Sequence, residues 1–182
     1  FLCYLKNMAD GEEDELVVKG EQSEGGRMGS TVQFKSRKET SLIVVHCAAT
    51  RPSMDVGVRE IRQWHKQRGF FDIGYHFVIR RNGVIEDGRQ QDQIGAPVEG
   101  HNSVSVGVCL VGGVPEGNPN GFEANFTEAQ MVSLKALLGK LRKDYPNAAV
   151  VGHHDLNPGK ACPSFNVAKW IHEGVLVTSD HG

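Results

Sequence analysis

The chain has 182 residues, 39% of them hydrophobic, and a formal net charge of −2. That length supports one domain with a substantial core and leaves little room for a second, while the near balance of 20 basic and 22 acidic side chains singles out neither nucleic acid nor a membrane surface as a partner. No apolar run approaches the roughly 18 residues of a membrane span, and the four cysteines, at positions 3, 47, 109 and 162, are too far apart for a disulfide framework, which points to synthesis in a reducing compartment.

Residues 1–30 read as a flexible acidic extension and residues 31–182 as the single domain. The first 28 residues hold seven acidic and three basic side chains, with Asp10-Gly11-Glu12-Glu13-Asp14-Glu15 as the densest run, and they lack the basic start and long apolar core of a secretory signal. The body that follows is close to neutral and slightly basic. Ser41–Cys47 is a continuous apolar run rich in Val and Ile, as expected of a central strand, and Arg51-Pro52 breaks it off. Val58, Ile61, Trp64 and His65 then fall on one helical face, with Gly69 as a stop. Tyr75–Arg81 reads as a strand, and Asn82-Gly83 before Val84-Ile85-Glu86 is a hairpin signal. Ser105–Val111 is another strand, ended by Gly112-Gly113, and the Gly-, Pro- and Asn-rich 115–121 stretch a surface loop.

A helix is expected over 127–144. Thr127 and Gln130 fit a capping box, and Met131, Leu134, Leu138 and Leu141 mark its apolar face. Ala148–Gly152 forms a short strand that delivers His153-His154, and Pro163-Ser164 opens a last helix through Trp170. Strands alternating with helices, plus one hairpin, predict an α/β fold with a mixed central sheet flanked by helices.

The chemistry concentrates in Gly152-His153-His154-Asp155-Leu156-Asn157-Pro158-Gly159-Lys160-Ala161-Cys162-Pro163, which places two imidazoles, an ammonium and a thiol in one turn-rich segment. Imidazole nitrogen and thiolate sulfur both suit zinc, and a catalytic site needs three protein ligands so that water can take the fourth position. His46, at the end of the first apolar strand, is the best third donor. If the segment enters extended, neighbouring side chains point to opposite faces, so at most one of His153 and His154 is a ligand. The spacing matches no generic zinc pattern, and on residues alone the histidines could equally be hydrogen-bonded loop groups and Cys162 a buried apolar one.

Six ordered blocks sharpen this reading: Val45-His46-Cys47-Ala48-Ala49-Thr50, Val58-Arg59-Glu60-Ile61-Arg62-Gln63-Trp64-His65, Gly74-Tyr75-His76-Phe77, Ile79-Arg80-Arg81-Asn82-Gly83, Gly107-Val108-Cys109-Leu110-Val111-Gly112-Gly113 and Lys160-Ala161-Cys162-Pro163-Ser164-Phe165. Together they resemble the zinc N-acetylmuramoyl-L-alanine amidases, the type 2 amidases that share a fold with peptidoglycan-recognition proteins. Within that family the likeness is to the amidase-type lysozymes of short-tailed phages of the Teseptima group, and it runs from about Val32 to Asp180. The resemblance implies a zinc amidase domain with one Zn2+ per chain, held by His46, His154 and Cys162, with His153 in support and Tyr75 and Lys160 assisting catalysis. It implies a monomeric endolysin that cuts the amide between N-acetylmuramic acid and L-alanine in peptidoglycan. Such a protein is made in the host cytoplasm and reaches the wall after a membrane lesion, with no membrane or direct nucleic-acid partner. It further implies binding and inhibition of a single-subunit phage RNA polymerase.

One block departs from the family pattern. In Gly95-Ala96-Pro97-Val98-Glu99-Gly100-His101-Asn102, Pro97 stands where relatives usually carry a His, which removes a side-chain donor and acceptor and leaves His101 as the nearest substitute. Two rival functions follow from the same residues. A non-catalytic binding protein on this fold would commonly have lost the Cys ligand, which this chain keeps as Cys162. A glycosidase would need a pair of carboxylates across the sugar bond, and Glu60, Glu86, Asp87 and Asp155 form no persuasive pair.

Overall fold

A strand with neighbours on both sides, in a sheet covered on both faces, must be apolar at every position, and Leu42–Cys47 meets that demand up to its last two residues. In the computed structural model, which describes residues 17–20 and 31–179, this segment is the third strand. The elements are β1 (Val17–Gly20), β2 (Thr31–Phe34), β3 (Leu42–Cys47), α1 (Val58–Gln67), β4 (Phe77–Ile79), β5 (Ile85–Asp87), a short 3-10 turn, β6 (Ser105–Leu110), α2 (Glu128–Asp144), β7 (Ala149–Gly152), the single-turn α3 (His153–Leu156) and α4 (Val167–Glu173). β1 and β2 pair antiparallel as a separate ribbon. Residues 17–20 thus pair as a strand inside the stretch expected to be a flexible extension, and the rest of that stretch lies outside the described residues.

The main sheet has the order β5-β4-β6-β3-β7. β3 runs parallel to both β6 and β7, β4 runs parallel to β6, and β5 returns antiparallel to β4 across the Asn82-Gly83 turn. Gly83 sits at φ 86°, and a Cβ there would lie 2.8 Å from the Ala129 carbonyl oxygen, so the turn requires glycine for both conformation and space. The sheet is therefore mixed, as its alternating sequence pattern predicts.

Strand parity sorts the side chains into two cores. Ile43, Val45 and Cys47 of β3, Val106, Val108 and Leu110 of β6, and Phe77 and Ile79 of β4 face α2 and α4, where Leu134, Leu138, Leu141, Val167 and Trp170 cover them. Val78 and Cys109 face the other way, onto Val58 and Ile61 of α1 together with Ile73 and Tyr75. Parity also puts His46 on the face opposite Cys47.

α2 begins as expected. Gln130 N–H donates to Thr127 Oγ1 at 3.1 Å, and Thr127 N–H donates to Gln130 Oε1 at 2.9 Å. Gln130 also does something that capping alone does not require. It is fully buried, and its Nε2 donates to the Ile79 and Val111 carbonyls at 3.1 and 2.8 Å, joining the start of α2 to the ends of β4 and β6. The last helix, in contrast, starts three residues later than the Pro163-Ser164 signal suggests. Ser164 adopts a positive φ of 76°, which cannot enter a right-handed helix, and Asn166 caps α4 instead by accepting from Lys169 N–H at 2.9 Å.

Replacing Gln130 with Leu keeps the volume, takes one hydrogen bond from each of the Ile79 and Val111 carbonyls, which keep Val111 N–H at 3.1 Å and Arg81 Nη1 at 3.2 Å as partners, and removes the acceptor of Thr127 N–H. We expect a loss of roughly 2–4 kcal/mol of unfolding free energy, read as a lowered urea midpoint at unchanged slope; a variant as stable as the parent would show that these bonds contribute nothing net.

Candidate metal centre

The register of the parallel pair β3–β7 brings the first two donors together. Val45 lies opposite Gly152, so the next residues, His46 and His153, leave the carboxyl ends of adjacent strands side by side, where ligand sites of open α/β sheets form. Their rings are 4.7 Å apart between centroids. Cys162 returns to the same edge. Its Sγ accepts from Cys47 N–H at 3.2 Å and lies 3.8 Å from His46 Nδ1. One donor atom from each of His46, His153 and Cys162 falls within a mutual 4.8 Å, and among the described residues this is the group of His, Cys, Asp and Glu able to hold a metal ion.

His154 is not in that group, although the family resemblance implies it as the ligand. The reason is local. After Gly152 the chain does not continue extended but turns into α3, whose start is fixed by Asp155 Oδ2 accepting from Gly152 N–H at 2.8 Å. That turn keeps His153 buried at the sheet edge and swings His154 into the loop, where its Nδ1 lies 2.7 Å from the Lys160 carbonyl oxygen. An acidic residue three positions beyond a helix N-cap is a readable start signal, so Gly152-His153-His154-Asp155 contained the clue.

The donor set fits a soft or borderline dication. His46 Nε2 and His153 Nδ1 are buried atoms with no hydrogen-bond partner, which is costly unless something else uses their lone pairs or protons. Burial pushes His46 well down and His153 down to about 4, the latter helped by the nearby Lys160 charge, so both rings are neutral and able to donate. Burial pushes the Cys162 thiol well up. Filling the site with an ion therefore has to drive off the thiol proton, the usual coupling of metal binding to proton release.

Tyr75 and Lys160 border this trio. The Tyr75 ring is buried 5.1 Å from the His46 ring and 5.3 Å from that of His65. Lys160 lines a cavity of about 160 Å³ together with Cys162, Ala49, Gly113, Val114 and Ser164. A larger groove of about 490 Å³ between α2 and α4 contains neither histidine nor cysteine. Pro97 is buried against Gly107, where a Cβ would come within 2.7 Å of the Pro97 Cβ and 3.6 Å of Tyr75 Cδ1. His101 stands apart from the trio, at the start of the 3-10 turn.

The two remaining buried histidines are structural and neutral. His76 Nδ1 accepts from Gly107 N–H at 3.0 Å and its Nε2 donates to the Gln93 carbonyl at 2.7 Å. His65 Nδ1 accepts from Gly74 N–H at 2.8 Å. Protonating either ring would set an N–H against an N–H, and burial, reinforced by Arg89 and other cations, pushes both down to about 3.

The sequence profile described as N-acetylmuramoyl-L-alanine amidase matches residues 36–165, a span that contains all of these groups. The endolysin of Klebsiella phage KP32 is 59% identical over 152 residues, covering 83% of this chain and 98% of that protein. The endolysin of Escherichia phage T7 is 52% identical over 151 residues, with the same coverage of both. Among solved structures, the N-acetylmuramoyl-L-alanine amidase LysC from Clostridium intestinale URNW superposes with a TM-score of 0.60 at 28% identity, covering 74% of this chain and 87% of that one.

The neutral histidines predict acid sensitivity. In the unfolded chain each titrates near 6.5, in the fold near 3, so their stabilisation is complete above pH 6.5 and is lost as pH falls toward 3. Between pH 7 and pH 5 His65 and His76 together should remove about 4 kcal/mol of unfolding free energy from the metal-free protein, and His46 and His153, also pushed down by burial, add to the loss. Urea unfolding at the two pH values measures this, and a flat profile would mean that the rings carry protons in the fold.

Proposed function

The chain belongs to the N-acetylmuramoyl-L-alanine amidase family of phage endolysins, and from that premise we propose that it cuts the muramoyl–L-alanine amide of peptidoglycan with one zinc ion held by His46, His153 and Cys162. The observation that carries the proposal is the convergence of two neutral, buried imidazoles and a thiol within 4.8 Å, two of whose ring nitrogens lack any other partner. Zinc in that position would supply Lewis acidity, lowering the pKa of water and polarising the scissile carbonyl.

The side chains divide the remaining work. Cys162 gives up its proton to become a thiolate, and His46 and His153 stay neutral to donate their lone pairs. Lys160, on the wall of the cavity beside Cys162, offers an ammonium to the negative charge that develops on the carbonyl oxygen, a contribution that grows in a site shielded from water. Tyr75, whose ring lies 5.1 Å from that of His46, would orient the attacking water or pass a proton to the departing amine. Pro97 contributes no polar contact, so any substrate contact made by a His at that position in relatives is absent from this chain. No described helix is long and apolar enough to cross a membrane. On the strength of the family resemblance we extend the proposal to inhibition of a single-subunit phage RNA polymerase; slowed transcription at micromolar protein is the expected result, and unchanged transcription would remove this second activity.

Metal content and wall hydrolysis, measured side by side, test the main reading. The parent should contain one zinc per chain and release new amino termini from peptidoglycan without new reducing sugars. Cys162→Ser and His153→Ala should each lose stoichiometric zinc and lower the rate at least about 100-fold. A chelated protein that hydrolyses walls as fast as the zinc-loaded one would defeat the proposal.

A further inference from the structure

The segment that carries both Lys160 and Cys162 is held at both ends by a single residue. His154 N–H donates to the Cys162 carbonyl at 2.9 Å, and the His154 ring places Nδ1 2.7 Å from the Lys160 carbonyl oxygen. A carbonyl can only accept, so Nδ1 bears the ring proton. Upstream, the segment hangs on the turn Asn157-Pro158-Gly159, closed by Lys160 N–H donating to the Asn157 carbonyl at 3.0 Å. Gly159 lacks the side chain that would stiffen that turn. Asn157 Oδ1 also accepts from Gly159 N–H at 3.2 Å within the turn, but the His154 ring is the side chain that reaches from α3 to Lys160 itself, the residue whose ammonium lines the cavity.

We propose that His154 is a positioning residue: its imidazole sets the conformation of Lys160–Cys162, so that the thiolate reaches the metal and the ammonium reaches the scissile carbonyl together. This inference rests on reading His46, His153 and Cys162 as the metal centre. It assigns the two adjacent histidines different tasks, His153 donating to the ion and His154 donating to the chain that brings the third ligand. An ångström of misplacement in such a loop is enough to cost about 100-fold in rate, and loss of an outer hydrogen bond around a metal site costs about 10–100-fold in affinity or activity.

Two variants test it, His154→Ala and His154→Asn, the latter because an Asn side-chain N–H can occupy nearly the place of Nδ1–H. Three quantities are read: Co2+ affinity from the thiolate charge-transfer absorption, kcat and KM on a soluble muramoyl peptide, and the rate of trypsin cleavage after Lys160 in the metal-free protein. His154→Ala should bind Co2+ about 10–100-fold more weakly and lose at least about 10-fold in kcat with little change in KM, and trypsin should cut it faster. His154→Asn should recover most of each loss. An Ala variant with parental affinity, kcat and trypsin resistance overturns the proposal, as does an Asn variant no better than Ala. If the parent itself fails to bind Co2+, the metal reading falls, and the trypsin comparison alone then decides whether His154 holds the loop.

Discussion

Everything at the site depends on the parallel pairing of β7 against β3 in one register. Val45 opposite Gly152 makes His46 and His153 neighbours, and the parity of β3 puts His46 on the α1 face, beside Tyr75, while Cys47 turns into the core under α2. A slip of one residue would send each side chain of β7 to the opposite face and separate the imidazoles. The apolar face of the sheet prevents the slip. Val45, Val108 and Leu110 are sealed between strands and helices, so the hydrophobic core enforces a geometry that the polar site exploits without having to stabilise it.

The polar groups buried around this edge follow a common rule: they are kept neutral or are satisfied by main-chain atoms. His76 bridges Gly107 N–H and the Gln93 carbonyl, and Gln130 closes the ends of β4 and β6. Arg89, almost fully buried, lies over the Phe34 ring at 3.7 Å and donates to the Ile94 carbonyl at 3.0 Å. Arg37 reaches the Gln93 and Gln91 carbonyls at 3.0 and 2.7 Å. These contacts fix the irregular 88–96 segment behind Tyr75 without placing a carboxylate near the metal centre. An anionic side chain there would compete for the ion and offset the charge of Lys160.

Local signals in the sequence translated well into structure because their causes are local. The apolar run at β3, the Asn82-Gly83 turn and the Thr127–Gln130 cap each depend on a few adjacent residues, and the mixed sheet follows from their order. The site was legible in part. His46 and Cys162 do come together, but the residues alone left open which of His153 and His154 joins them, and the resemblance pointed to His154; the choice turns on the bend at Gly152, where Asp155 marks a helix start. The deeper role of Gln130 could not be read at all, since a capping box looks the same whether its amide faces water or two strand ends. Likewise the proline signal at 163 is a weaker determinant than the positive φ of Ser164, which only the packed structure displays.

The separation of the donors along the chain has a consequence in time. His46 and Cys162 are 116 positions apart, and β7, the strand that supplies His153, lies at the sheet's edge and pairs with β3 alone. Contacts that close so long a loop form late, because the entropy of closure precedes any gain from the contact. A chain still emerging from the ribosome can assemble α1, β4, β5 and β6 around β3 and yet hold no metal-binding trio. On the proposed metal reading, hydrolytic competence is tied to completed synthesis, and an ion bound across the finished edge would act as a late cross-link between the first strand of the central sheet and the last.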